Sequence, residues 1–174
     1  SGAPTCDADT MGAMTKVWGH RGASEHAPEN TIPAIELALA QGADGVEIDV
    51  QLTRDDEVVV IQDETLERTT DGHGWVADHS YDDLRRLDAS AGHVGFVGVR
   101  IPTLAEVLAT TGDALVNIEL KNSEMPYKGL EERVLEVVAE HGASDRVVLS
   151  SFNHYSLRHF QELGASMPLG VLYS

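Results

Sequence analysis

Short runs of aliphatic and β-branched residues alternate along this chain with stretches in which apolar residues recur every three to four positions. The first pattern predicts strands and the second predicts helices packed by one face. KVWGH (16–20) opens the series as a strand. ENTIPAIELALAQG (29–42) predicts a helix: Asn30 or Thr31 can cap it, Pro33 sits in its first turn, and Ile32, Ile35 and Leu39 repeat at helical spacing up to the stop at Gly42. GVEIDVQL (45–52) and EVVVI (57–61) are strands. SYDDLRRL (80–87) and TLAEVLAT (103–110) are helices, each opening on a capping-box pattern, Ser80 to Asp83 and Thr103 to Glu106. ALVNIELK (114–121) predicts a strand, and GLEERVLEVVAEHG (129–142) a helix with Leu130, Val134, Val137 and Val138 on one face. RVVLSSF (146–152), NHYSLRHFQELG (153–164) and PLGVLY (168–173) close the order as strand, helix, strand.

Such alternation predicts an α/β domain with parallel strands. A doubly wound sheet would place a Gly-rich phosphate turn after the first strand, and GHRGASE (19–25) lacks the G-x-G-x-x-G pattern. A (β/α)8 TIM barrel is the better fit. Such barrels usually take ~250 residues, whereas this chain has 174 and ends on a strand. Leaving out EVVVI, five barrel-type strands remain, so the expectation is a barrel truncated after its fifth strand, with an extra hairpin strand at 57–62. Residues 1–15 have the look of a leader, and 16–174 of one incomplete barrel domain.

Charge changes the picture next. Asp and Glu total 29 against 12 Lys and Arg, a net charge of −17. That balance argues against nucleic acid or an anionic membrane surface as partner. It suits a site that gathers a hard cation, although a solvated acidic surface accounts for most of it. No apolar run approaches the ~20 residues of a membrane span. Cys6 is the single cysteine, which leaves no intrachain disulfide and leans towards a cytoplasmic setting.

The candidate chemistry lies at the carboxyl ends of the predicted strands, where barrels build their sites. His20 and Arg21 end the first, Glu47 and Asp49 lie on the second, Glu119 and Lys121 on the next, and Ser150, Ser151 and Asn153 end the one after. Glu47 and Asp49 are two apart and share a face. Buried carboxylates repel unless a cation or proton sits between them. Glu47, Asp49 and Glu119 could therefore hold Mg²⁺ or Ca²⁺, or each could pair with Arg21 or Lys121 in a structural network; spacing leaves both open. No Cys or His cluster suggests zinc. The linker TRDDE (53–57) is too short for a parallel crossover and reads as a hairpin turn. A two- or four-residue loop puts Gln62 on the carboxylates' face, and a three-residue loop puts it on the other. Of the remaining histidines, only His26 and His73 lie near strand-end loops.

HRGASEHAPENT, GADGVEIDVQLTRDDEVVVIQDETLERTT, IPTLAEVL, NIELK and VVLSSF follow one another in order and at suitable spacing. In this the sequence resembles the glycerophosphodiester phosphodiesterase family, from Lys16 to the last residue. The resemblance implies a (β/α)8 barrel and one divalent cation, Mg²⁺ or Ca²⁺, on Glu47, Asp49 and Glu119. It implies His20 as one catalytic histidine, Arg21 and Lys121 on the phosphate, and Glu29 and Asp63 as bracing residues. The implied substrates are small glycerophosphodiesters such as glycerophosphocholine, and the products glycerol phosphate and an alcohol.

The chain departs from the family where a second catalytic histidine is expected, because a His-Asp pair is replaced by Gln62-Asp63. An amide does not titrate near neutral pH, so Gln62 can hydrogen-bond a phosphate oxygen but not shuttle a proton. The expectation is an impaired phosphoric diester hydrolase with His20 and position 62 as the acid/base pair. The alternatives are an inactive metal- and phosphodiester-binding protein, or a barrel fragment used for assembly. Five strands of a barrel leave two open edges, which a second copy could cover.

Overall fold

The computed structural model describes residues 15–122 and 127–173. Residues 1–14 of the expected leader lie outside the described residues. The chain forms β1 (Trp18–His20), α1 (Ile32–Ala40), β2 (Gly45–Leu52), β3 (Val58–Val60), α2 (Tyr81–Leu84), α3 (Leu104–Thr110), β4 (Leu115–Leu120), α4 (Leu130–Glu140), β5 (Val147–Ser151), α5 (His154–Glu162) and β6 (Leu169–Val171). Five strands run parallel in the order β1-β2-β4-β5-β6, with helices on the connections between them, and β3 pairs antiparallel with β2. This is the expected arc of barrel strands with one extra hairpin strand.

Local chemistry sets the element ends. α3 opens on a complete capping box between Thr103 and Glu106. α2 is shorter than the pattern SYDDLRRL suggests, although Ser80 caps it by accepting the Asp83 N–H. Thr31 is the N-cap residue of α1, but its hydroxyl donates to the Pro28 carbonyl at 2.6 Å instead of capping. Gly22 follows β1 at φ +79, and a Cβ there would meet the Ala34 backbone at 2.6 Å, so only glycine lets the loop pass α1 this closely.

The sheet has two unlike faces. Val46, Ile48 and Val50 of β2, with Val116, Ile118 and Leu120 of β4, pack against Ile35, Leu104, Val107, Val134 and Val138 of the helices. The other face carries Glu47, Asp49 and Gln51, joined through the parallel register by Asn117 and Glu119, and then by Ser150. The sequence suggests strands apolar on both sides, with carboxylates as isolated interruptions. The register instead gathers the polar positions of three strands on one face, where they bond one another, as in Ser150 Oγ donating to Asn117 Oδ1 at 2.8 Å. A smaller core of Val59, Ile61, Leu66, Val76 and Leu84 lies under the long segment between β3 and α3.

The hairpin differs from both loop lengths that would have aligned Gln62 with the carboxylates. Val60 pairs with Val50, Val58 with Leu52, and the Thr53 N–H bonds to the Glu57 carbonyl at 3.0 Å, leaving a three-residue loop, Arg54 to Asp56. Asp56 takes the left-handed conformation such a loop needs, at φ 61. Asp55 ties the turn down by accepting from Thr53 Oγ1 at 2.7 Å and from the Tyr81 N–H at 2.9 Å. In consequence Ile61, not Gln62, lies opposite Asp49, with its N–H on the Asp49 carbonyl at 2.9 Å.

Candidate active site

Glu47, Asp49 and Glu119 converge at the carboxyl ends of β2 and β4, with one oxygen of each lying within 4.8 Å of the others. β-sheet register produces this: Asp49 pairs with Glu119, and Glu47 lies two residues back on the same face. His20 is the register partner of Glu47, and its Nε2 lies 3.8 Å from Glu47 Oε2. The imidazole is 68% exposed, so it can reach a molecule bound over the site.

Arg21 and Lys121 flank the carboxylates. Arg21 takes a left-handed backbone at φ 56, which lets its N–H reach both the Glu47 carbonyl at 2.9 Å and Glu47 Oε2 at 3.2 Å. Its Nη1 donates to Glu29 Oε1 at 3.1 Å, and its Nε lies 3.3 Å from Asp49 Oδ2 without hydrogen-bond alignment. Lys121 bonds Glu119 and lies 3.1 Å from Asp49 Oδ1, again off alignment. Burial pulls the Lys121 ammonium down, but the Asp49 charge, seconded by Glu119, outweighs it and raises the group above the usual lysine range. Its Nζ also lies 5.9 Å from the centroid of the Phe152 ring.

The charges do not balance within this group. Two cations face three carboxylates: Arg21 and Lys121 lie within ion-pair distance of Asp49 and Lys121 of Glu119, and Glu47 is the one with neither beside it. Burial first, and the Asp49 charge second, push its carboxyl up to about 7. Glu47 Oε1 and Asp49 Oδ1 are buried with no hydrogen-bond partner. Oxygen ligands from three carboxylates, two with orphan atoms, fit a hard divalent cation. Ion pairing with Arg21 and Lys121 is present too, but it leaves these atoms unsatisfied, so the structural network alone does not account for them.

Gln62 lies past the end of β3, where the ladder no longer orients it. It lines a crevice with Glu29, Asn30, Ile61 and Thr69. Its Oε1 is buried without a partner, while its carbonyl accepts from Gln51 Nε2 at 3.1 Å. Gln51 is fully buried on the carboxylate face of β2, and its own Oε1 accepts from the Tyr127 hydroxyl at 2.5 Å. Asp63 turns to Arg68 instead, accepting two hydrogen bonds from it, Nε to Oδ2 at 2.6 Å and Nη2 to Oδ1 at 2.8 Å.

Arg68, Gln51 and Asn30 are the residues that sequence reasoning passed over as site components. Only β2's alternation, which puts Gln51 in step with Glu47 and Asp49, signals any of them. Arg68 also grips Glu29 with both terminal nitrogens at 2.8 Å. The Arg68 bonds, more than the cost of burial, hold the Glu29 carboxyl below its ordinary value. A depressed value means stability that is present above the ordinary pKa of 4.5 and is lost as pH falls through the folded value. Arg68→Met is therefore expected to destabilise the chain by about 1–2 kcal/mol at pH 7, discounted because charge-assisted bonds on a half-exposed side chain are screened. Melting curves at pH 7 and pH 3 check this: the deficit should shrink at the lower pH, and an equal deficit at both would mean packing, not charge. His26 and His73 are exposed, and the His73 carbonyl faces His79 Nε2 at 3.1 Å.

Comparison with known proteins agrees with this arrangement. Residues 20–174 match the sequence model of the Glycerophosphoryl diester phosphodiesterase family. A glycerophosphodiester phosphodiesterase of Caldanaerobacter subterraneus is 47% identical over 162 residues, covering 91% of this chain and 67% of that protein. The structure of a phosphodiesterase of Oleispira antarctica, in complex with the product sn-glycerol-3-phosphate, is 36% identical with a TM-score of 0.83, covering 92% of this chain and 66% of that one. A glycerophosphodiester phosphodiesterase of Agrobacterium tumefaciens is 38% identical with a TM-score of 0.81, covering 90% and 66%. The chain thus spans about two thirds of the length of these relatives. No helix among the described residues is long and apolar enough to cross a membrane. Motif order, an arc of parallel strands and a carboxylate cluster at their carboxyl ends all point the same way: the chain belongs to the glycerophosphodiester phosphodiesterase family, whose members are phosphoric diester hydrolases.

Proposed function

We propose that this chain binds glycerophosphodiesters at Glu47, Asp49, Glu119, His20, Arg21 and Lys121 and hydrolyses them slowly to glycerol phosphate and an alcohol, a reaction of lipid and glycerol metabolism. The observation that carries the reading is the trio of carboxylates with orphan buried oxygens beside two basic groups and an exposed imidazole. Glu47, Asp49 and Glu119 would hold one Mg²⁺ or Ca²⁺, which when bound supplies positive charge for the phosphoryl oxygens. Arg21 and Lys121 would bind those oxygens and orient the diester. His20 can carry a proton to or from a reacting oxygen. Gln62 would serve as the partner position that the family resemblance implies, where its amide could hold an oxygen but not exchange a proton near neutral pH. Glu29 and Asp63 brace the site through Arg68. A cytoplasmic setting suits the single cysteine.

The amide at position 62 specifically favours a second reading, a protein that binds metal and phosphodiester without turnover. The two separate in one experiment: glycerol phosphate release from glycerophosphocholine with Mg²⁺ or Ca²⁺, beside calorimetric binding of the same compound. Slow release with binding supports the first, binding alone supports the second, and neither overturns both.

Assembly bears on the same site. β1 and β6 each pair on one side among the described residues, and Val17, Trp18, Val171 and Tyr173 beside these edges are 36–80% exposed. Unpaired backbone and bare apolar surface invite pairing. This 174-residue chain on its own is expected to self-associate in light scattering at micromolar concentration. A cooperatively melting monomer would show that the edges are tolerated.

A further inference from the structure

We infer that Asn30 is a positioning residue for Asp49 and sets the metal affinity of the site, an inference that rests on the metal reading above. The edge of β2 changes partner along its length. Its first residues, Gly45 to Glu47, pair with β1, and its last, Val50 to Leu52, pair with β3. Asp49 lies at the handover. Its carbonyl accepts from the Ile61 N–H at 2.9 Å, but its own N–H faces a gap between the two strands. The Asn30 side chain fills that gap. Asn30 Oδ1 accepts the Asp49 N–H at 3.3 Å, and Asn30 Nδ2 donates to Asp49 Oδ2 at 2.8 Å. Only one orientation of the amide satisfies both bonds, which fixes it.

Backbone strain reinforces the reading. Asn30 is buried and left-handed, at φ 57, and its N–H bonds to the Arg21 carbonyl at 3.0 Å. Arg21, also left-handed, contacts Glu47 in turn. One short side chain thus ties the loop after β1 to the strand that carries two of the three carboxylates. The bond to Asp49 Oδ2 leaves Oδ1 without a hydrogen-bond partner, on a carboxylate grouped with Glu47 and Glu119. Holding a carboxylate rotamer before a cation arrives removes that ordering cost from binding. Asparagine suits the position because it tolerates the left-handed region and carries a donor and an acceptor on one short stem.

Asn30→Gly tests this directly. Glycine accepts φ 57 without penalty, so the variant removes the amide and leaves the backbone relaxed. Metal-stripped protein titrated calorimetrically with Mg²⁺ and with Ca²⁺ is expected to lose about 10- to 100-fold in affinity, the range typical when a residue supporting a metal ligand is removed. Asn30→Asp keeps shape and backbone tolerance but turns an oxygen towards Asp49, and is expected to lose at least as much; it carries the test if the glycine variant does not fold. Melting of the metal-free proteins runs alongside. Folded variants that bind either ion as tightly as the parent overturn the positioning role while leaving the metal reading intact. A parent chain that binds neither ion overturns both.

Discussion

Gln62→His is expected to raise glycerol phosphate release from glycerophosphocholine by ~10²–10⁴, the usual worth of general acid–base assistance. Position 62 is held through its carbonyl, which Gln51 Nε2 bonds at 3.1 Å, and a new side chain does not disturb that anchor. The present Oε1 makes no hydrogen bond, so removing it costs the fold none. An imidazole there could take or give a proton, with His20, beside Glu47 at the carboxyl end of β1, as its proposed partner. The gain should appear in kcat, with KM changing less, on the proposal that the Gln62 amide already hydrogen-bonds the bound diester. Two groups that act as a pair are strongly non-additive, so adding His20→Ala to the Gln62→His chain should remove nearly the whole gain. A Gln62→His chain that binds the substrate but releases product no faster would show that position 62 is not where the proton moves.

Glu47→Gln is expected to reverse sign with metal. In the metal-free chain at pH 8 the substitution removes the one carboxylate that two nearby cations leave unneutralised. It keeps an oxygen for the Arg21 N–H, which now bonds Glu47 Oε2 at 3.2 Å. Relief of a buried, under-partnered charge is worth about 1–3 kcal/mol, or roughly 2–10 °C of melting temperature for a chain of this size. With Mg²⁺ or Ca²⁺ at a thousand times its dissociation constant, the parent gains ~4.1 kcal/mol from binding while the variant gains little. Melting curves with chelator and with excess metal should therefore rank the two proteins in opposite orders. A variant that melts lower than the parent in chelator would mean that Glu47 is satisfied in the metal-free fold and that the trio is a structural cluster. This is the conflict between stability and function expected where a site is built to await a ligand.

The order of elements was legible because periodicity and capping are local. β2 spans Gly45–Leu52 as the apolar run predicts, and Leu130, Val134, Val137 and Val138 bury the face of α4 that their spacing marks. The gathering of carboxylates was also legible, since Glu47 and Asp49, two apart on a largely apolar strand, share a face, although spacing left a cation and an ion-pair network both open. His20, Arg21 and Lys121 follow from the ends of strands that the sequence locates within a few residues. What the sequence by itself determined is thus the fold class, the strand order along the chain and the residue types gathered at the strand ends. Only the tertiary structure decided the hairpin register, because loops of two, three or four residues fit TRDDE equally well, and a bond from Tyr81, remote in sequence, helps hold the three-residue form. It alone decided that Arg68 joins Glu29 to Asp63, that Gln51 anchors position 62, and that Asn30 bridges the gap between β1 and β3. Each of these is a polar contact between distant segments, set by where backbone groups are left unpaired once the sheet has formed, and no periodicity in the chain records such a vacancy.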